Sequence, residues 1–164
     1  MKVSENFDIR EFVSPDTWRK WGERSIWFVD PVIIEIAEFY REFFCDYYGA
    51  DEVNVIVNDW HYGGKKIGRG YREPKQYNSG QFSRNPNSES LHRQGKAFDC
   101  DIYLKMNGES KEVDYKAVHA IIKTHQFEFK RAGVTTVEHP DFAKTWLHTD
   151  IRPTNIDHIL IVKP

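Results

Sequence analysis

Cysteine is almost missing from this chain: Cys45 and Cys100 are the only two in 164 residues. Two thiols so far apart imply no disulfide framework, so the fold must rest on a hydrophobic core, which a chain of this length can bury. An excess of charge of one sign is lacking too. The 23 basic and 25 acidic residues nearly cancel, so no global field draws the chain to nucleic acid or an anionic membrane, and partners must be recognised locally. No apolar run approaches the length of a membrane span, and Met1-Lys2-Val3-Ser4-Glu5-Asn6-Phe7-Asp8 has no apolar centre of signal-peptide length. The expectation is a monomeric chain, cytoplasmic as synthesised and not inserted in a membrane. Repeats and low-complexity tracts are also absent, and the length fits one domain over 1–164. Aromatic residues, by contrast, are plentiful (11 Phe, 8 Tyr, 5 Trp), and in a domain of this size they serve first to fill the core.

Asp30-Pro31 has the form of an N-cap followed by proline at the first helical position. Ile33, Ile36, Ala37, Tyr40 and Phe44 then recur at helical spacing, which predicts a helix over 31–47. Gly49 ends it, and Val53 to Val57 reads as a β-branched strand. Gly63 to Asn87 is rich in glycine and proline and has no sustained period, as expected of a long loop that leads into His92. From Ala97 to Leu104 the chain alternates, with Phe98, Cys100 and Ile102 opposing Ala97, Asp99 and Asp101. This predicts a half-buried strand that buries Cys100 and shows both aspartates on its polar face. Met106 to Glu109 is a turn. Asp114 caps a second helix that ends near Gln126, with Val118, Ala120, Ile121 and Ile122 inward. Val134–Glu138, Thr145–Thr149 and His158–Val162 read as further strands. The sum is an α+β domain with an antiparallel or mixed sheet carrying the polar residues and helices packed on it.

Two segments carry the chemistry. Ser90-Leu91-His92-Arg93-Gln94-Gly95-Lys96-Ala97-Phe98-Asp99 offers an imidazole and a carboxylate, and Trp146-Leu147-His148-Thr149-Asp150 offers a second imidazole. Two imidazoles and one carboxylate are a natural ligand set for Zn²⁺, and three protein ligands leave a fourth tetrahedral position open, as hydrolysis requires. His92 and Asp99 can converge only if the chain turns sharply between them, and Gly95 permits that turn. Trp146, His148 and Asp150 share one strand face, so Asp150 can orient a neighbouring ligand. Asp101 is either a support for His92 or a solvated strand residue. Ser90 orients the loop, and with no paired base it has no claim as a nucleophile. Arg152 can pair with Asp150 to hold the strand end. His61, His119, His125 and His158 read as packed, structural or surface residues.

Ser90-x-His92-x-x-Gly95-x-Ala97-x-Asp99, followed by Trp146-x-His148-x-Asp150, resembles the zinc D-alanyl-D-alanine carboxypeptidase family of metallopeptidases. These are relatives of the lysostaphin-type peptidases and the Hedgehog signalling domain. Asn6-Phe7-x-x-x-Glu11-Phe12 and Gly70-Tyr71-Arg72 resemble the bacterial and phage-encoded branch, so the likeness spans most of the chain. It implies that His92, Asp99 and His148 bind zinc and that Arg72 faces the substrate or the oxyanion. It also implies peptidoglycan stem peptides as targets, reached by cell lysis or from a virion. Many members place a glutamate base three residues before the last histidine, where this chain has Thr145. Glu138, at the end of the strand expected beside the one bearing His148, is the candidate replacement. A rival reading is a zinc-stabilised binding module that has kept the ligands and lost the base.

Overall fold

In a computed structural model, which describes residues 1–75 and 90–163, the chain forms an α+β domain built on a six-stranded mixed sheet. The part of the expected long loop from 76 to 87 lies outside the described residues. The helices α1 (Pro15–Trp21), α2 (Pro31–Tyr48), α3 (Tyr115–Thr124) and α4 (Gln126–Arg131) accompany strands β1 (Glu52–Ile56), β2 (Ala97–Met106), β3 (Glu109–Glu112), β4 (Thr136–Glu138), β5 (Leu147–Asp150) and β6 (Leu160–Val162). The order across the sheet is β1-β2-β5-β4-β6, with β3 also paired to β2. All pairings are antiparallel except β4 with β6.

Local chemistry sets the helix ends. Asp30 Oδ1 accepts from the Val32 amide, Pro31 opens α2, and Gly49 closes it in a left-handed conformation. Ile33, Ile36, Ala37, Tyr40 and Phe44 of α2 are buried, as their spacing predicts. Asp114 caps α3 through the amides of Lys116 and Ala117. Two expectations about α3 are corrected. It ends at Thr124, and a separate short helix, α4, follows at Gln126; and Ala120 is exposed while His119 is buried beside Val118, Ile121 and Ile122. Ala120 lies roughly 200° around the helix from Val118 at 3.6 residues per turn, so it points away from the core.

The long strand β2 organises the sheet. Its first four residues pair with β5, and its remainder pairs with β1 and β3. Residues directly opposite in an antiparallel pair share a face, so Phe98 with Thr149 and Cys100 with Leu147 lie on one side, and Ala97 with Asp150 and Asp99 with His148 on the other. On the first side α2 and α4 supply the core: Phe98, Cys100, Ile102, Val53, Val55 and Leu147 join Ile36, Tyr40, Phe44 and Phe129 in one cluster. The buried Tyr40 hydroxyl is satisfied by Thr149 Oγ1 at 2.7 Å. The opposite face collects the carboxylates and imidazoles.

Candidate metal centre

His92, Asp99 and His148, expected as ligands, converge and are all buried. Asp99 and His148 come together because they are register partners on β2 and β5. His92 reaches them from a short 3-10 helix, Leu91–Gln94, that breaks at Gly95 with φ of 68°. A side chain could not replace the Gly95 hydrogen: a Cβ there would lie 1.8 Å from the Phe28 carbonyl oxygen. Ser90 opens that helix, its carbonyl accepting from the Arg93 amide at 3.0 Å.

Asp99 Oδ1 is 2.7 Å from His148 Nδ1 and 3.4 Å from His92 Nε2, and the two imidazole nitrogens are 3.3 Å apart. Ligands at about 2.0–2.1 Å in a tetrahedron stand roughly 3.3 Å from one another. Two edges of the triangle already have that length, and a cation at its centre would open the third. The far nitrogens are engaged as well. His92 Nδ1–H donates to the Gly70 carbonyl at 2.8 Å, which leaves Nε2 as the lone-pair nitrogen, and His148 Nε2 faces Asp150 Oδ2 at 3.4 Å. The group can hold a metal ion.

Electrostatics point the same way. Burial disfavours the charged form of Asp99, but both imidazoles outweigh that and hold its pKa well below the usual carboxylate range. Burial pushes His92 down. At His148 burial also works downward, yet its bonds to Asp150 and Asp99 prevail and raise it to about 9. A site that draws a proton onto an imidazole held between two carboxylates is one that stabilises a cation.

The segment carrying Gly70 and Arg72 has little regular structure but is firmly held. Buried Asn58 bridges it to the N-terminal region, its side-chain amide donating to the Glu11 and Val13 carbonyls and its Oδ1 accepting from the Arg69 amide. The Tyr71 amide donates to Phe12 O at 2.7 Å, an approach so close that a Cβ on Gly70 would meet that same oxygen at 2.2 Å. Arg72 donates through an Nη to Asp99 Oδ2 at 2.7 Å, so its charge meets the site through a ligand.

The remaining candidates fall at different distances. Asp150, its side chain fully buried, stands between His148 and Arg152, whose Nε lies 2.9 and 3.1 Å from the two carboxylate oxygens. The pair holds the end of β5, with its carboxylate buried and its guanidinium reaching the surface. Glu138 is half-buried at the end of β4, which pairs with β5, and alternation puts it on the same face as Thr136 and Asp150. Burial raises its pKa, and His148, Asp99, Arg72 and Asp150 all act on its charge. Asp101 does not support His92: two residues along β2, roughly 7 Å from Asp99 at strand spacing, it pairs with Lys66 and Arg69. Trp146 is half-buried ahead of β5, beside a recess bordered by Val113, Tyr115 and Val118. Sequence reasoning missed the parts played by Asn58 and the Gly70 carbonyl. A lone asparagine and a backbone oxygen leave no periodic signal, although Gly70 stands within the Gly70-Tyr71-Arg72 segment.

Taken together, fold and site define an α+β domain with a buried two-histidine, one-aspartate group fit for a metal ion. No family model matches this sequence, and neither the curated proteins nor the solved structures give a match. No described helix is long and apolar enough to cross a membrane.

Proposed function

We propose that the protein is a zinc-dependent metallopeptidase that hydrolyses peptide bonds in peptidoglycan stem peptides, acting as a monomer. The observation that carries this reading is the buried triangle of His92 Nε2, His148 Nδ1 and Asp99 Oδ1, with a carboxylate, Glu138, on the same sheet face. Two imidazoles and a carboxylate suit zinc among the common biological cations, and three ligands are the number used by catalytic sites that keep one position open. The choice of substrate rests on the resemblance of the His92–Asp99 and Trp146–Asp150 segments to the D-alanyl-D-alanine carboxypeptidase family.

Bound zinc would polarise the scissile carbonyl and make water a better nucleophile near neutral pH. The residues of the chain do the rest. Glu138 accepts the proton of the attacking water, and its raised pKa suits a group that must then return that proton to the departing amine. Arg72 supplies positive charge beside the oxyanion that forms on the carbonyl oxygen. His92, fixed by Gly70, and His148, fixed by Asp150, keep the ligand lone pairs aimed at one point.

One observation favours a second reading, a zinc-stabilised binding module: Thr145, exposed ahead of β5, stands where the resemblance leads one to expect the base. The deciding experiment is incubation of purified peptidoglycan with zinc-loaded protein, recording released amines and fragment masses beside a His148→Ala control. The enzyme reading expects zinc-dependent fragments missing from the control. Stoichiometric zinc with no cleavage would shift the conclusion to the binding module.

A further inference from the structure

Resting on the metal reading of this site, we infer that Arg152 is a positioning residue for the metal: acting through Asp150, it holds the His148 ring so that Nδ1 faces the cation. The guanidinium acts on Asp150 and not on a ligand directly. It grips Asp150 with Nε at 2.9 Å from Oδ1 and 3.1 Å from Oδ2 and adds an Nη contact to Oδ2, while the Arg152 amide donates to Oδ1 at 3.1 Å. The Asp150 carboxylate has no exposure to solvent, and its other neighbour is His148 Nε2, 3.4 Å away.

A buried carboxylate without a partner is strongly destabilising, because the desolvation of its charge is not offset. Arg152 is the cation that compensates Asp150 on its outer side, and its planar fork fixes the carboxylate plane in a way a point charge would not. Asp150 thus presents an acceptor to Nε2 from a set direction, so that when a cation displaces the proton on Nδ1 the ring hydrogen stays on Nε2 and the lone pair is left on Nδ1, the atom that faces Asp99 and His92. Asp99 is braced in parallel by Arg72, so each of the two ligands on the β2–β5 ladder is backed by an arginine, one directly and one through a carboxylate.

The backbone at this point does not depend on the Arg152 side chain. Thr135 Oγ1 donates to the Arg152 carbonyl at 2.7 Å, the Thr135 amide donates to the Asp150 carbonyl at 3.3 Å, and the Ile151 amide donates to Lys96 O. The Arg152 side chain is itself about one-third exposed (35%). Truncating it therefore tests the brace and leaves the strand end in place.

The test compares full-length wild type, Arg152→Gln and Arg152→Lys by zinc titration against a competing chelator, with the visible absorption of the Co²⁺-loaded proteins as a reporter of ligand geometry. Arg152→Gln should bind zinc roughly 10–100-fold more weakly, the range expected for loss of an outer partner, with an altered Co²⁺ spectrum. Arg152→Lys, which restores charge without the fork, should recover part of the affinity. Circular dichroism before metal addition confirms that the variants are folded. Equal zinc affinity and an unchanged Co²⁺ spectrum in Arg152→Gln would overturn the inference while leaving the metal site intact. No metal uptake by the wild type would overturn both.

Discussion

Asp99 and His148 are directly opposed on β2 and β5, with Asp99 Oδ1 2.7 Å from His148 Nδ1. The sheet register, and not loop closure, therefore fixes two of the three donor atoms, and only His92 must be delivered from outside the ladder. A site prebuilt in this way should stabilise the fold when it takes a metal, because a ligand that binds only the native state raises its stability by mass action. Zinc should raise the melting temperature of the wild type, and a chelator should reverse the gain. Asp99→Asn keeps the shape but removes the charge and should lose zinc affinity by more than the ~10–100-fold that outer partners cost. Unchanged zinc affinity in that variant would remove Asp99 from the ligand set.

Gly95 is the hinge that delivers His92. Its positive φ and the carbonyl of Phe28 leave no room for a side chain, so Gly95→Ala must shift the backbone between His92 and β2. Loss of stability of about 2–4 kcal/mol is expected from strain and steric conflict together, read as a lower denaturation midpoint with little change in slope. Since the Gly95 amide donates to the His92 carbonyl, zinc affinity should fall as well. A variant as stable as wild type would show that this turn does not constrain the path from His92 to β2.

The parts of the fold that could be read from the sequence are those where one residue type has one physical reason to be there. Asp30-Pro31 and the apolar spacing after it place α2, and alternation across Ala97–Leu104 places β2 and its two aspartates. By contrast β3, Glu109 to Glu112, is exposed at every position, so it has no alternation to detect and forms because the turn at Asn107-Gly108 leads it back along β2. Helix α1 buries only Thr17 among its seven residues and leaves no apolar stripe. At the site, Asp99, His148 and Asp150 are legible because strand periodicity decides which residues share a face, and His92 because Gly95 permits the turn that brings it to Asp99. The role of Asp101 was not, since the cations that claim it, Lys66 and Arg69, arrive from a segment without periodicity.

Glu11 offers a test of the fold away from the metal. It closes a capping box, its Oε1 accepting from the Asp8 amide, and burial pushes its pKa up to about 7; the Asp8 amide bond and the charge of Arg41 oppose the rise, and the charges of Asp8 and Glu38 add to it. The folded state therefore holds the proton more tightly than the unfolded chain. The contribution of this group is most favourable below about 4.5, the ordinary glutamate value, and is lost as the pH rises through 7. Glu11→Gln keeps the acceptor and removes the charge. It should melt above the wild type at pH 8, by roughly 2–8 °C if about 1–2 kcal/mol of penalty is relieved after allowance for solvent access, and the gap should close toward pH 4.5. A gap independent of pH would mean that Glu11 does not titrate in the folded protein.

Chemistry and metal binding can be separated at Glu138. This carboxylate lies on the same sheet face as Asp150 and His148 and is not one of the three clustered donors, so replacing it should spare metal binding while removing the proposed proton acceptor. Glu138→Gln preserves size and hydrogen-bonding capacity. The variant should bind zinc within about threefold of wild type and lose roughly 10²–10⁴-fold in kcat, the range that a positioned acid–base group contributes. Residual hydrolysis should persist, because polarisation by zinc and the charge of Arg72 do not depend on Glu138. If Glu138→Gln cleaved as fast as wild type, proton transfer would have to be assigned elsewhere. The first place to look would be Asp150, which shares this face but is already held by His148 and Arg152.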